Sequence, residues 1–256
     1  MPPVSVDVVI HRNGPALWDG RYSAEQLEKI RSVLGSKHFN ALYQQNPIDD
    51  EGAMFPRNAW QWYEWSDLPE LREIIIAVDS AFKDGVGNDW SVFAVWGHDG
   101  FNSYYLLDLW RGRVEFPELI EAGDDIYAKW LAKGLTRKFS LVVEDKASGQ
   151  SAIQVWRRPH YSLVAPEAGE RPRLKPALAV QAFAIKGAMS KEARADGVTP
   201  LVKGKRVYLP HSRTWTDAFV QEHVEFPLGT HDDQVDSTSI ALSYFLFQPK
   251  RGMATF

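Results

Sequence analysis

The chain has 256 residues, a formal net charge of −4, 45% hydrophobic residues and no cysteine. That length and apolar content suit one large domain with a real core, and the missing thiols exclude disulfides and thiolate metal centres, leaving carboxylates, His and backbone oxygens as possible metal ligands. No apolar run approaches the roughly 18 residues that a membrane-spanning helix needs, and "MPPVSVDVVIHRNG" lacks the charged-then-apolar pattern of an export signal, so the expectation is a soluble protein that is not exported.

In chain order, "SAEQLEKIRSVLGS" predicts a helix: Ser23 is its N-cap, Gln26 the capping-box partner, Leu27, Ile30, Val33 and Leu34 its apolar face, and Gly35 lies just past its end. "HFNALYQQNPIDDEGAMFPRNAWQWYEWSDLPE" mixes aromatics, Pro and turn residues without a sustained period. It predicts an irregular but ordered lead, because so many Trp and Tyr rings are costly to leave in water. From Leu71 the pattern becomes regular. "EIIIAVD" predicts a strand buried on both faces and ending at Asp79. "SVFAVWG" and "SYYLLDLW", joined by the turn signal "HDGFN", predict a hairpin. "FPELIEAGDDIYAKWLAKG" predicts an amphipathic helix, and "SLVVED" a second buried strand ending in acid, followed by a helix "QSAIQVWRR" opened by Gly149. Then come a strand in "YSLVAP", a helical stretch around "ALAVQAFAIKGAMSKEARADGV", a short strand "RVYLP", a helix "TWTDAFVQEHVEF" and a final helix from Asp232. Three meandering strands followed by βα units predict an α/β fold with a central mixed sheet flanked by helices.

Charge is unevenly spread. Between Arg137 and Arg213 there are 15 Lys and Arg against 6 Asp and Glu, so this stretch carries +9 and the remainder −13. A basic stripe beside acidic clusters suits an enzyme that works on DNA with metal ions; an uneven solvated surface is the plainer alternative.

The acids fall in a pattern. Asp79 ends an apolar strand, where a carboxylate is costly unless the strand end opens into a site, finds a partner or caps a turn. Glu144 and Asp145 repeat the arrangement at the end of "LVV". In "THDDQVDSTS", Asp232, Asp233 and Asp236 open the last helix, with Thr230 as its expected cap. Acid is favoured there by the helix dipole, yet capping uses one or two carboxylates and three are present. Two strand-end acids and a surplus of helix-start acid form an oxygen-only donor set, which suits Mg²⁺ or Mn²⁺ rather than Zn²⁺. Two such ions about 4 Å apart can activate water and stabilise the leaving oxygen in phosphodiester hydrolysis. His211, His223 and His231, the candidates for zinc, lie far apart in the chain.

The stretches "IIIAVDSAFKDGVGNDWSVFAVWG", "LVVEDKASGQSAIQ", "SKEARADGVTPLVKGKRVYLP" and "VEFPLGTHDDQVDSTSIAL" resemble, in order, the nuclease domain of the large terminase subunit of tailed bacteriophages, which has an RNase H-like fold. "LWDGRYSAEQLEKIRSVLGSKHFNALYQQNP" followed by "EGAMFPR" resembles the end of the ATPase region and its linker. The resemblance implies a lead segment over residues 1–70, a nuclease domain over 71–248 and a tail over 249–256. It implies that Asp79, Glu144 and Asp233 are catalytic metal ligands for two Mg²⁺ or Mn²⁺ ions, with Asp232 and Asp236 as further candidates for the third position. Strand alternation turns only one of Glu144 and Asp145 to a given face, and the resemblance favours Glu144. Asp89 matches a recurring family acid, and Lys191 and Arg194 match a basic pair that suits DNA phosphates or a solvated helix face.

The implied activity is endonucleolytic cutting of concatemeric double-stranded phage DNA as packaging starts and ends, in the cytoplasm of a bacterial host. The implied partners are DNA, the small terminase subunit, the portal protein and the ATPase domain of the same full-length subunit, with no membrane involved. No G-x-x-x-x-G-K-[ST] phosphate loop occurs, so the expectation is the nuclease-bearing C-terminal part of a larger protein, without ATPase activity of its own. Two other readings use the same acids: another RNase H-like nuclease of resolvase or recombinase type, and a non-catalytic DNA-gripping module of a packaging motor, in which the acids only cap and pair.

Overall fold

A computed structural model describes residues 23, 26–27, 29–30, 52–80, 90–166, 170–184, 189–211 and 213–247. In chain order its elements are β1 (Gln61–Tyr63), β2 (Glu73–Asp79), β3 (Ser91–His98), β4 (Tyr104–Gly112), α1 (Phe116–Leu131), β5 (Phe139–Glu144), α2 (Ala147–Trp156), β6 (His160–Tyr161), β7 (Leu174–Lys175), β8 (Val180–Phe183), α3 (Lys191–Lys203), β9 (Val207–Pro210), α4 (Thr216–Glu225) and α5 (Asp233–Phe247).

Seven strands form one mixed sheet in the order β1-β9-β4-β3-β2-β5-β8. The meander β2–β3–β4 is antiparallel, β5 and β8 extend it in parallel beyond β2, and β9 and β1 do so beyond β4. Alternation along each strand divides the core in two. Ile75 and Ala77, with Val92, Ala94, Trp96 and Val142, face a layer built from α3, α4 and α5. Ile74, Ile76 and Val78, with Phe93, Val95, Leu141 and Val143, face α1 and α2. Because both faces are covered, the central strands read as unbroken apolar runs instead of alternating ones. The result is a three-layer α/β fold, a mixed sheet between helices as the order of elements predicted, and of the RNase H-like kind that the resemblance implied.

The aromatic lead is held by burial. Phe55 and Trp60 join the core beneath α4, and Tyr63 of the edge strand β1 donates its hydroxyl to the Leu106 carbonyl at 2.9 Å. At the upstream helix, Ser23 and Gln26 exchange the reciprocal hydrogen bonds of a capping box, 3.0 and 3.3 Å. Most of residues 1–51, and the tail 249–256, lie outside the described residues.

Two expectations need correction. Within "YSLVAP" only Tyr161 belongs to a strand; β6 pairs with β7 in a separate two-stranded ladder. Val180–Phe183, read as helical, is instead a parallel edge strand on β5. The Ala-rich stretch prefers helix locally, but the open edge of β5 offers backbone partners, and a side-chain bond from Gln181 to Ser140 at 3.0 Å fixes the pairing. The helix starts only at Lys191, where the Ser190 hydroxyl accepts the Ala193 N–H at 3.2 Å. Among the described residues, no helix is long and apolar enough to cross a membrane.

His223 ties α4 to α5. Its Nδ1 lies 2.8 Å from the Phe219 carbonyl, so that nitrogen carries the proton and Nε2 accepts the Thr238 hydroxyl at 3.0 Å. Phe55 and Trp60 pack edge-on against the ring, and burial pushes its pKa down to about 3. The folded state therefore resists the proton that the unfolded chain takes up below about pH 6.5. Stability should fall on acidification by about 1.4 kcal/mol per pH unit between these values from this residue alone. Urea unfolding from pH 7 to pH 4 should show this slope, reduced in His223→Gln; an unchanged slope would rule His223 out as its source.

Candidate metal centre

Strands β2 and β5 are adjacent and parallel, so their C-terminal ends emerge at the same edge of the sheet. The pair Val78–Val143 is in register, and the next residues are Asp79 and Glu144. Asp79 follows Ile75 and Ala77 in alternation, and Glu144 follows Val142, so both are directed to the layer that contains α5. Asp145 takes the other direction; it is exposed and accepts a hydrogen bond from Gln150 at 3.2 Å. Helix α5 packs across β2 and β3 and begins at this edge, with Asp233 and Asp236 buried in its first turn.

The acids converge closely enough to alter one another. Burial, then the charges of Asp236, Asp233 and Glu144, push the Asp79 carboxyl well above the usual carboxylate range, against the field of Lys191. Burial likewise raises Asp236, although Lys191 and Arg194 oppose it.

Basic side chains meet the other carboxylates. Lys191 Nζ contacts Asp232 Oδ1 at 2.7 Å and Asp236 Oδ2 at 2.8 Å. Burial works against the Lys191 charge, but hydrogen bonds to Asp232 and Asp236 hold its ammonium above the usual lysine range. Arg194 spans two elements, with Nη1 at 3.1 Å from Glu144 Oε1 and Nη2 at 3.2 Å from Asp236 Oδ1. Lys146 Nζ is a second partner of Glu144 Oε1, at 2.8 Å. The structure thus brings Asp79, Glu144, Asp233 and Asp236 together, with Asp232 at the rim, and sets Lys191 and Arg194 among them. Asp89 lies outside the described residues.

A second network escaped the sequence reading. Arg111 Nη2 contacts Asp233 Oδ2 at 3.0 Å and Nη1 contacts Glu222 Oε2 at 3.2 Å, while its guanidinium lies 4.5 Å from the centre of the Trp90 ring. Buried Glu222 accepts the Gln234 backbone N–H at 2.7 Å, so a side chain of α4 satisfies a free N–H in the first turn of α5. Asp232, not Thr230, stands at the cap position, its carbonyl accepting the Asp236 N–H at 2.9 Å. Arg111 reaches the site because of a bulge. Leu106 and Leu109 both face the α5 layer, three positions apart, where the β3–β4 register shifts between Val95 and Trp96. An unbroken strand would turn Arg111 to the opposite face.

The donor chemistry fits a hard divalent cation: carboxylate oxygens from three elements, with burial first and the neighbouring acids second pushing the Asp79 carboxyl upward. In the present arrangement, however, the carboxylates turn to Lys146, Lys191, Arg194 and Arg111. Among the described residues, no group of three or more His, Asp or Glu side chains is disposed to hold a metal ion.

Residues 76–245, more than half of the chain, match the family model described as the terminase RNaseH-like domain. The chain belongs to this family. All the candidate acids and the Lys191–Arg194 pair lie within the matched terminase segment. Two terminase structures share the fold. The large terminase of a thermophilic bacteriophage, solved in complex with ADP, is 12% identical with a TM-score of 0.50, covering 90% of this chain and 54% of that one. The human cytomegalovirus terminase nuclease domain is 10% identical with a TM-score of 0.52, covering 77% of this chain and 94% of that one. The chain therefore spans about half the length of the thermophilic phage's large terminase. No curated protein sequence matches it significantly.

Within this terminase domain, Gly149 fixes how closely α2 approaches the end of β5. A Cβ there would sit 2.1 Å from the Glu144 carbonyl oxygen. Gly149→Ala should destabilise the fold by about 1–3 kcal/mol through this overlap and displace Glu144; denaturant unfolding checks the first, and a crystal structure of the variant the second.

Proposed function

We propose that this terminase domain is a metal-dependent endonuclease that hydrolyses double-stranded DNA, with Asp79, Glu144 and Asp233 as the principal metal ligands and Asp236 and Asp232 flanking them. The observation that carries the reading is the gathering of carboxylates at one sheet edge: Asp79 and Glu144 end adjacent in-register strands, and Arg194 bridges Glu144 to Asp236 in the helix turn that also holds Asp233. Capping a helix or closing a turn needs one or two carboxylates, and this edge gathers more.

Asp79 and Glu144 would hold metal from the sheet, and Asp233 from the helix, kept in place by Arg111. Two Mg²⁺ or Mn²⁺ ions bound there would supply an activated water and neutralise the departing oxygen of a phosphodiester, without a covalent intermediate. The basic excess between Arg137 and Arg213 suits a DNA backbone, and the absence of a recognisable base-reading motif in the sequence favours low intrinsic sequence specificity. In the packaging role the substrate is concatemeric phage DNA in the cytoplasm of a bacterial host. The small terminase subunit, the portal protein and the ATPase domain of a full-length subunit are then the partners that time the cut. A DNA-gripping module without catalysis is the second reading, favoured by the ion pairs that Lys191 and Arg194 make with the acids.

Supercoiled plasmid incubated with the protein and Mn²⁺ separates the two. Nicking by the wild type, reduced roughly a hundredfold or more in Asp79→Asn and abolished by a chelator, is the expected result. No nicking by the wild type would favour the gripping module, and equal nicking by both proteins would overturn the role given to Asp79.

A further inference from the structure

We propose that Lys191 and Arg194 are built-in counterions of this site, which hold Glu144, Asp232 and Asp236 in the metal-free protein and are displaced when a divalent cation takes those carboxylates. The inference rests on the site assigned in the preceding section and concerns what a metal must compete with to enter it.

Both residues lie on the first turn of α3, three positions apart and on one helix face, and the Ser190 cap anchors that turn. Arg194 is only 7% exposed, and its two Nη atoms reach acids of two different elements, Glu144 of β5 and Asp236 of α5. A guanidinium so placed is neither a surface charge nor free to reach a DNA phosphate while these contacts last. Its Nε is buried without a partner, so the hydrogen-bond set is incomplete for a permanent buried ion pair. Lys191 is about half exposed and fixes both oxygens of Asp232 together with one of Asp236. It has an open path to water.

Charge counting points the same way. Asp79, Glu144, Glu222, Asp232, Asp233 and Asp236 face Lys146, Lys191, Arg111 and Arg194, six carboxylates to four cations when all are ionised. One divalent ion neutralises the difference. A second enters a site already neutral and leaves a surplus of two positive charges unless basic side chains withdraw, and Lys191, about half exposed, is the one placed to swing away. Lys191, once released, stands beside Asp232 at the exposed rim where a phosphate would arrive.

Calorimetric titration of MnCl₂ into the whole chain at constant pH and ionic strength tests this, with thermal melts with and without Mn²⁺ alongside. In Lys191→Gln, Mn²⁺ should bind roughly tenfold tighter or more, the range by which an opposite charge at this distance biases a carboxylate. The metal-free variant should melt lower than the wild type, and Mn²⁺ should raise its melting temperature by more. Arg194→Gln should shift affinity in the same direction; if it does not fold without metal, Lys191→Gln carries the test. Lys133→Gln, an exposed lysine over Trp65 and Trp130, controls for net charge. Affinity unchanged or weakened in Lys191→Gln, or strengthened equally in Lys133→Gln, would overturn the counterion role while leaving the metal site standing. Mn²⁺ binding indifferent to Asp79→Asn would overturn the site itself, and this inference with it.

Discussion

Mutual repulsion among carboxylates at one end of the sheet is the constraint around which the surrounding structure is organised. Two adjacent parallel strands deliver Asp79 and Glu144 side by side, and α5 adds Asp233 and Asp236 from above. Burial and like charge both oppose ionisation there. A fold that keeps such a cluster must provide positive charge, and it does so from several directions. Lys191 and Arg194 come from α3, Lys146 from the turn after β5, and Arg111 from β4.

These cations form two groups. On one side Lys146, Lys191 and Arg194 bind the acids directly and have at least one exposed or half-exposed member. On the other, Arg111 is stacked on Trp90 and shared between Asp233 and Glu222, and Glu222 in turn holds the backbone of α5. The second group is a scaffold: it joins β4, α4 and the helix start, so that removing any member loosens the rest. The first group is adjustable. A site that must accept and release charged ligands needs both, a fixed wall to set geometry and a compliant one to exchange charge.

Much of this was legible in the sequence, for physical reasons. The unbroken apolar runs around Ile75 and Val142 announced strands covered on both faces and ending in acid, while the common side to which Asp79 and Glu144 turn comes from the pairing of β2 with β5. The capping box at Ser23 and Gln26 is a local pattern, and its bonds form. What was not legible depends on distant partners. Val180–Phe183 became a strand because β5 had a free edge, which no local preference encodes. Arg111 was missed because a bulge reverses the direction of its side chain, and Glu222 because a carboxylate in mid-helix looks like an ordinary surface residue until α5 is docked against it. Lys191 and Arg194 were visible as a basic pair, but their orientation toward acids instead of solvent follows only from the packing of α3 against α5.

The wide spacing of the acids along the chain has a kinetic corollary. Asp79 and Asp236 are 157 positions apart, so their approach closes a loop through almost every element of the sheet and is among the costliest contacts to form. The β2–β3–β4 meander by itself contains Asp79 without Glu144, Asp233 or Asp236. The repulsion is therefore not local: it needs both β5 and α5 in place, and the apolar layer beneath α5 is what opposes it. The most unfavourable contact is thus a property of the assembled fold and of no local segment.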